Sequence, residues 1–177
     1  MATLARIVPC LWFNDQALQA AEQYVSIFPN SRITHVAHYG DAGHEHHGRP
    51  AGSVMLVRFT LDGVAFTALN GGPGFTFNEA VSLQVMCDSQ DEIDHFWSRL
   101  GEGGDPRAQQ CGWLKDRFGV SWQVTPRKME ELMPDDDRPR SERVMTAVLG
   151  MKKIELAALE RVAAGDDVPA AASSPAA

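Results

Sequence analysis

The sequence predicts an α+β protein built from two successive βαβββ modules with helices appended at the end. Two observations predict it. The same order of elements is legible twice along the chain, and two glycine-centred hairpins, one in each half, superpose on one another. At 177 residues the chain is long enough to bury a core without disulfides or a structural metal.

The first module opens at 7–13, a short apolar run with β-branched and aromatic residues that reads as a buried strand. Over 15–28, Ala17, Ala21, Tyr24 and Phe28 recur at helical spacing while Gln16, Gln19, Glu22 and Gln23 fill the wet side, and Pro29-Asn30 ends the helix. Strands follow at 33–39, 54–61 and 64–69, the last two joined by Asp62-Gly63, a two-residue turn between apolar runs that signals a hairpin. This module is assigned to 1–70, and the glycine-rich stretch within 71–80 is a connector.

The second module, 81–126, begins with a strand at 81–87. Ser89 and Glu92 fit a capping box, Ile93, Phe96, Trp97 and Leu100 form one apolar stripe, and Gly101 stops the helix. Three extended pieces are expected at 107–110, 112–115 and 120–125, the last two joined by a tight turn through Asp116-Arg117-Phe118-Gly119. Aligned on Gly63 and Gly119, the two hairpins place Val64 over Val120 and Phe66 over Trp122. Residues 127–164 have helical spacing and a charged loop, Pro134-Asp135-Asp136-Asp137-Arg138-Pro139. The Ala/Pro/Ser/Asp composition of 165–177 predicts a disordered tail.

Charge and composition exclude several functions. Sixteen Lys and Arg against 23 Asp and Glu leave a net charge of −7, and the basic residues are scattered, which argues against nucleic acid and anionic membrane as partners. Apolar runs fall short of the roughly 18–20 residues that cross a bilayer. The opening Met1-Ala2-Thr3-Leu4-Ala5-Arg6 leads into the first strand without a signal core. Cys10, Cys87 and Cys111 are odd in number and lack C-x-x-C spacing, which suits reduced thiols. A cytoplasmic location is expected.

One long segment, Trp113-Leu114-Lys115-Asp116-Arg117-Phe118-Gly119-Val120-Ser121-Trp122-Gln123-Val124-Thr125-Pro126, follows Cys111-Gly112. Together with the earlier Leu69-Asn70-Gly71-Gly72-Pro73-Gly74-Phe75-Thr76-Phe77-Asn78-Glu79-Ala80, it resembles the PhnB-like family. Ser82-Leu83-Gln84-Val85, Gln90, Glu92 and Met151-Lys152-Lys153-Ile154 extend the likeness, which covers 6–159. Members often carry the label 3-demethylubiquinone-9 3-methyltransferase and fall in the vicinal oxygen chelate superfamily of glyoxalase I, extradiol dioxygenases and bleomycin-resistance proteins. The resemblance implies curved mixed sheets around a cavity, within a homodimer. It also implies a small-molecule function, either enzymatic on an unidentified substrate or sequestering in the manner of bleomycin-resistance proteins. The alternative it carries is methyl transfer to a demethylubiquinone-like phenol, although the chain shows no strand–glycine-rich turn–helix unit for S-adenosylmethionine.

Superfamily enzymes hold a divalent metal with His or Glu side chains on each module's first and last strands. Carried onto this chain, the second module's metal-binding Glu position is Gln123. Its first-module counterpart is about Thr67, with Leu69 and Asn70 in near register, and the opening strands offer Cys10 and Trp12, then Ser82 and Gln84. A neutral amide leaves a hard divalent ion poorly compensated, so no metal and no cofactor are expected. Alternation puts Ser121, Gln123 and Thr125 on one face of a strand, with Val120, Trp122 and Val124 on the other, and Ser82, Gln84 and Met86 also share a face. The expected pocket lining is therefore Cys10, Trp12, Thr67, Asn70, Ser82, Gln84, Trp113 and Gln123, with no catalytic residue assigned. Bulk water against these faces is the competing reading, and Trp12, Trp113 and Trp122 suit either core packing or a planar ligand. A second candidate, His44-Glu45-His46-His47, has zinc-ligand residue types but sits among Gly43, Gly48 and Pro50, so a solvated loop is the expectation there. Asn70-Gly71-Gly72-Pro73-Gly74 lacks the Lys-Ser/Thr of a phosphate loop.

Overall fold

A computed structural model describes residues 6–166, and most of the expected disordered tail, from 167 onward, lies outside the described residues. The fold is α+β, with helices and two mixed sheets. The chain divides into two compact units, Met1–Phe77 and Asn78–Ala177.

The first unit runs β1 (Cys10–Phe13), α1 (Ala17–Ile27), β2 (Arg32–His38), α2 (His44–His47), β3 (Val54–Leu61) and β4 (Val64–Asn70). Its sheet has the order β1-β4-β3-β2, with β1 parallel to β4 and the other pairs antiparallel. β1 starts three residues later than the apolar pattern predicts. Pro9 has no N–H for a ladder, and Ile7 before it is 88% exposed. The helix buries Ala17, Ala20, Ala21, Tyr24 and Ile27 and lies against β3 and β4. Its residue before the first turn, Gln16, makes no side-chain cap; the Ala17 N–H instead donates to Asn70 Oδ1 at 2.8 Å, from the far end of β4. The hairpin turn has positive φ at both Asp62 (43°) and Gly63 (80°), the mirror-image turn whose twist matches antiparallel strands.

The second unit runs β5 (Leu83–Cys87), α3 (Gln90–Gly101), a 3-10 turn (Pro106–Ala108), β6 (Trp113–Lys115) and β7 (Ser121–Pro126). α4 (Met129–Leu132), α5 (Arg138–Leu149) and α6 (Leu156–Ala164) follow. The sheet order is β5-β7-β6, with β5 parallel and β6 antiparallel to β7. At the start of α3, Ser89 Oγ accepts from the Glu92 N–H at 3.2 Å, and Glu92 Oε2 accepts from the Asp88 N–H at 2.7 Å.

The extended piece expected at 107–110 is not a strand. Asp105 accepts from the Arg107 N–H at 2.9 Å and Pro106 occupies the first turn, so the backbone coils, and what remains of the pairing is a single bridge between Gln110 and Trp113. The later helices are tied back to this sheet by main-chain bonds. The Cys111 N–H donates to Met151 O at 2.7 Å and the Gly112 N–H to Lys152 O at 2.8 Å, while the Gln90 side chain bonds both Ile154 O and the Leu156 N–H.

Strand register makes the two units comparable position by position. β1 and β4 pair Cys10 with Thr67, and β5 and β7 pair Gln84 with Gln123. Exposure follows the same alternation in both. Leu11, Phe13, Phe66 and Ala68 are buried in the first, as are Val85, Cys87, Trp122 and Val124 in the second, whereas Cys10 and Gln84 are exposed and Thr67 and Gln123 half-buried. In each unit the helix packs on the sheet, and Thr67 and Gln123 lie on the face opposite the buried residues.

Candidate functional site

Across the second sheet, the face away from α3 collects Ser82 just before β5, Gln84 from β5, Ser121 and Gln123 from β7, and Trp113 and Lys115 from β6. Pleating requires this, because Trp113 pairs with Gln123, Lys115 with Ser121 and Gln84 with Gln123, and directly opposed residues share a face. Leu114, between the two β6 members, points the other way, toward Gly101 of α3.

The polar groups form a directed chain. Gln84 Nε2 donates to Gln123 Oε1 at 3.2 Å, and Gln123 Nε2 donates to Ser82 Oγ at 2.8 Å. Gln84 therefore keeps its carbonyl oxygen as an acceptor, and Ser82 keeps its hydroxyl proton as a donor. Beside them, Ser121 is 2% exposed and its Oγ has no hydrogen-bond partner among the described residues. An orphaned buried hydroxyl carries a cost of about 1–3 kcal/mol that a ligand group could relieve. Lys115 Nζ bonds Glu79 Oε1, and that bond draws the Glu79 carboxyl below its usual value.

The hairpin carrying Trp113 and Gln123 is locked by a buried acid. Asp116, 3% exposed, accepts at Oδ1 from the Phe118 N–H (2.9 Å) and the Val120 N–H (3.0 Å), and at Oδ2 from Trp122 Nε1 (2.8 Å). Lys115 and Asp116 are absent from the sequence-based expectation for the site, and Ser121 is placed on its face by alternation without being counted in the lining. Alternation from Trp113 could have found Lys115, but its partner Glu79 is 36 residues upstream and leaves no local pattern.

The first-unit candidates have other occupations. Asn70 uses Oδ1 on the Ala17 N–H and donates from Nδ2 to Val54 O at 3.0 Å, while its own carbonyl accepts from Tyr39 OH at 2.6 Å. Both side-chain atoms are thus spent on backbone. Trp12 Nε1 donates to Gly72 O at 2.9 Å, and its ring meets Phe75 edge-on at 5.0 Å. Cys10 and Thr67 are register neighbours, and partial burial raises the Cys10 thiol above its ordinary value.

The divalent metal implied by the superfamily likeness does not fit these residues. Gln123 Oε1, the atom that would face a cation, accepts from Gln84, and its neighbours are amides and hydroxyls without formal charge. Among the described residues no group of three or more His, Cys, Asp or Glu is placed to hold an ion. The histidine segment forms a single helical turn. His47 Nδ1 accepts from the Arg49 N–H at 3.0 Å, its Nε2 lies 3.3 Å from Ala42 O, and its ring packs on Tyr39 at 4.4 Å, so both ring nitrogens are engaged.

The family model described as 3-demethylubiquinone-9 3-methyltransferase matches residues 5–125. The chain belongs to this PhnB-like family. A PhnB protein from Bacillus cereus that carries the same methyltransferase label is 32% identical, with 69% of this chain and 99% of that one covered at a TM-score of 0.59. A protein from Pseudomonas aeruginosa is 25% identical over 69% of this chain and 97% of its own, at a TM-score of 0.53. A glyoxylase/bleomycin resistance protein/dioxygenase domain from Frankia aligns at 14% identity over 70% of this chain and 93% of its own, with a TM-score of 0.44. No curated protein matches the chain.

Proposed function

We propose that this protein binds a small, planar, polar molecule on the open face of its second sheet, without a metal ion. The observation that carries the reading is the Gln84–Gln123–Ser82 chain, which ends in an unused acceptor at one side and an unused donor at the other. A ligand with a carbonyl or ring oxygen near Ser82 and an N–H or O–H near Gln84 completes both ends, and the Ser121 hydroxyl gains a partner. The Trp113 indole supplies a stacking surface, and the Lys115–Glu79 ion pair lies at the edge of the same face. Such a set suits recognition, since a sequestering site requires shape and hydrogen bonding and no proton-transfer group.

The same reading includes a homodimer, expected from the family likeness. Light scattering at micromolar concentration tests it, and a monomer would remove that part. Cys10, Cys87 and Cys111 are all unpaired, which favours the reducing cytoplasm. No helix among the described residues is long and apolar enough to cross a membrane.

A fluorescence screen of phenols, quinones and heteroaromatic amides, followed by titration of any hit into Gln84→Ala and Gln123→Ala, tests the site. Each variant is expected to weaken binding about tenfold, Gln84→Ala by removing one polar ligand contact and Gln123→Ala by releasing the amide that orients both ends of the chain. Unchanged affinity in the double variant would discard the reading. Saturable S-adenosylmethionine binding by calorimetry would instead favour the methyl transfer named in the family's description.

A further inference from the structure

We infer that the three C-terminal helices form a second, separate site for a small organic monocarboxylate with a short apolar chain. An open cavity of about 410 Å³ lies among α4, α5 and α6, lined by Lys128, Leu132, Arg140, Glu160, Ala163 and Ala164. All six residues lie beyond residue 125, where the family match ends, so the site does not depend on the reading of the second sheet.

The charges at this cavity are unequally satisfied. Lys128 Nζ is bonded to Glu160 Oε1, and that bond raises the lysine above its usual value. Arg140 has no such partner. Its backbone N–H is capped by Asp137 Oδ1 at 3.1 Å, but its guanidinium makes no hydrogen bond among the described residues, and the Nε, shut off from water, has no acceptor. A half-buried guanidinium with an unmet N–H favours an acceptor, and the planar fork matches a carboxylate in a two-point contact. The rest of the lining narrows the class. Leu132, Ala163 and Ala164 make an apolar floor for an alkyl chain, and the Glu160 carboxylate disfavours dianions such as phosphate monoesters. The volume falls within the range of about 300–1,000 Å³ common for small-ligand pockets.

The test uses the full chain and sodium pentanoate as the probe, titrated by calorimetry at constant ionic strength, with pentanol and inorganic phosphate as comparisons. Saturable pentanoate binding, weakened about tenfold or more by Arg140→Met, is expected, since a charge-assisted pair is lost. Glu160→Gln should tighten pentanoate several-fold by removing a like charge and releasing Lys128, and it supplies a second reading should Arg140→Met fail to fold. Phosphate and pentanol should each bind more weakly than pentanoate. Pentanoate affinity that is unchanged in Arg140→Met and in Glu160→Gln, or that is matched by pentanol, overturns the inference, as does the absence of saturable binding. Gln123→Ala is expected to leave pentanoate affinity unchanged, so failure here and failure of the second-sheet site are separable.

Discussion

Replacing Asp116 with Asn changes one oxygen to a nitrogen in a buried turn, and the consequence can be worked from the contacts. The carboxylate accepts from two backbone N–H groups at 2.9 and 3.0 Å through Oδ1 and from the Trp122 indole at 2.8 Å through Oδ2. An amide has one carbonyl oxygen. If it stays on the backbone pair, its NH2 is driven against the indole N–H, so that bond is lost at a cost of about 1.5–3 kcal/mol. The two remaining bonds lose their ionic character, at roughly 0.5–1 kcal/mol each. Removing a buried charge returns about 1–2 kcal/mol of desolvation, so the net loss is about 1.5–3 kcal/mol. For a chain of this size that corresponds to a fall in Tm of roughly 5–10 °C. Urea and thermal melts followed by circular dichroism measure it, and a double-mutant cycle with Trp122→Phe isolates the indole contact. In the Trp122→Phe background the Asn substitution should cost less, because the opposing donor has gone. A loss below about 1 kcal/mol, or strict additivity in the cycle, would refute the role assigned to this carboxylate.

Three other outcomes follow from single contacts. Asn70→Ala strips the Ala17 N–H and Val54 O of their partners and should cost about 2–4 kcal/mol in the same melts; a loss within 0.5 kcal/mol would show that water replaces both bonds. Gly71→Ala would place a Cβ 2.1 Å from Trp12 Cζ2, so the indole must leave its seat against Gly72 O, which a shift in tryptophan emission with a loss of about 1–3 kcal/mol would report and an unchanged spectrum would deny. Cys87, 1% exposed, has its thiol pushed from 9.0 up to about 12, first by burial and then by the Glu92 and Asp88 carboxylates. Because the folded value is the higher, its contribution to stability is complete below pH 9 and lost as pH rises from 9 toward 12. Iodoacetamide at pH 8 should therefore modify exposed Cys10 well before Cys87, and equal rates would contradict the burial.

What the sequence made legible was local. Ser89 with Glu92, and Asp62 with Gly63, are signals whose partners lie within a few residues, and the structure bears out both the helix start and the mirror-image turn. Alternation along 120–125 separates the buried Val120, Trp122 and Val124 from Gln123 and Thr125, because a strand's side-chain period is two whatever packs on it. Local pattern gives way where distant partners or competing turn chemistry intervene. The start of α1 is capped from Asn70, 53 residues away, a bond that no pattern around Gln16 announces. The piece at 107–110 has extended-looking residues, but Asp105 and Pro106 claim the backbone for a turn first. At the candidate site, Gln84, Gln123 and Ser82 could be assembled from alternation together with the family likeness. Alternation also puts Ser121 on that face, but not its burial at 2% exposure or its orphaned hydroxyl, because period two says nothing of what packs over one position.

The register equivalence bears on why the proposed recognition site lies on the second sheet. Cys10 beside Thr67 and Gln84 beside Gln123 occupy the same parallel pair in their respective units, with matching exposure, so the backbone offers the same opportunity twice. Adjacent strands stand about 4.8 Å apart, and a short thiol and a hydroxyl do not extend a hydrogen-bonded chain along the face, whereas two carboxamides each donate and accept and reach Ser82 as well. In the first unit the longer polar groups, Asn70 and Trp12, are turned to backbone carbonyls and an amide, holding the helix and the 71–74 segment in place. Packing therefore accounts for the likeness of the buried faces, and side-chain length on the open faces decides which copy keeps donors and acceptors to offer a ligand.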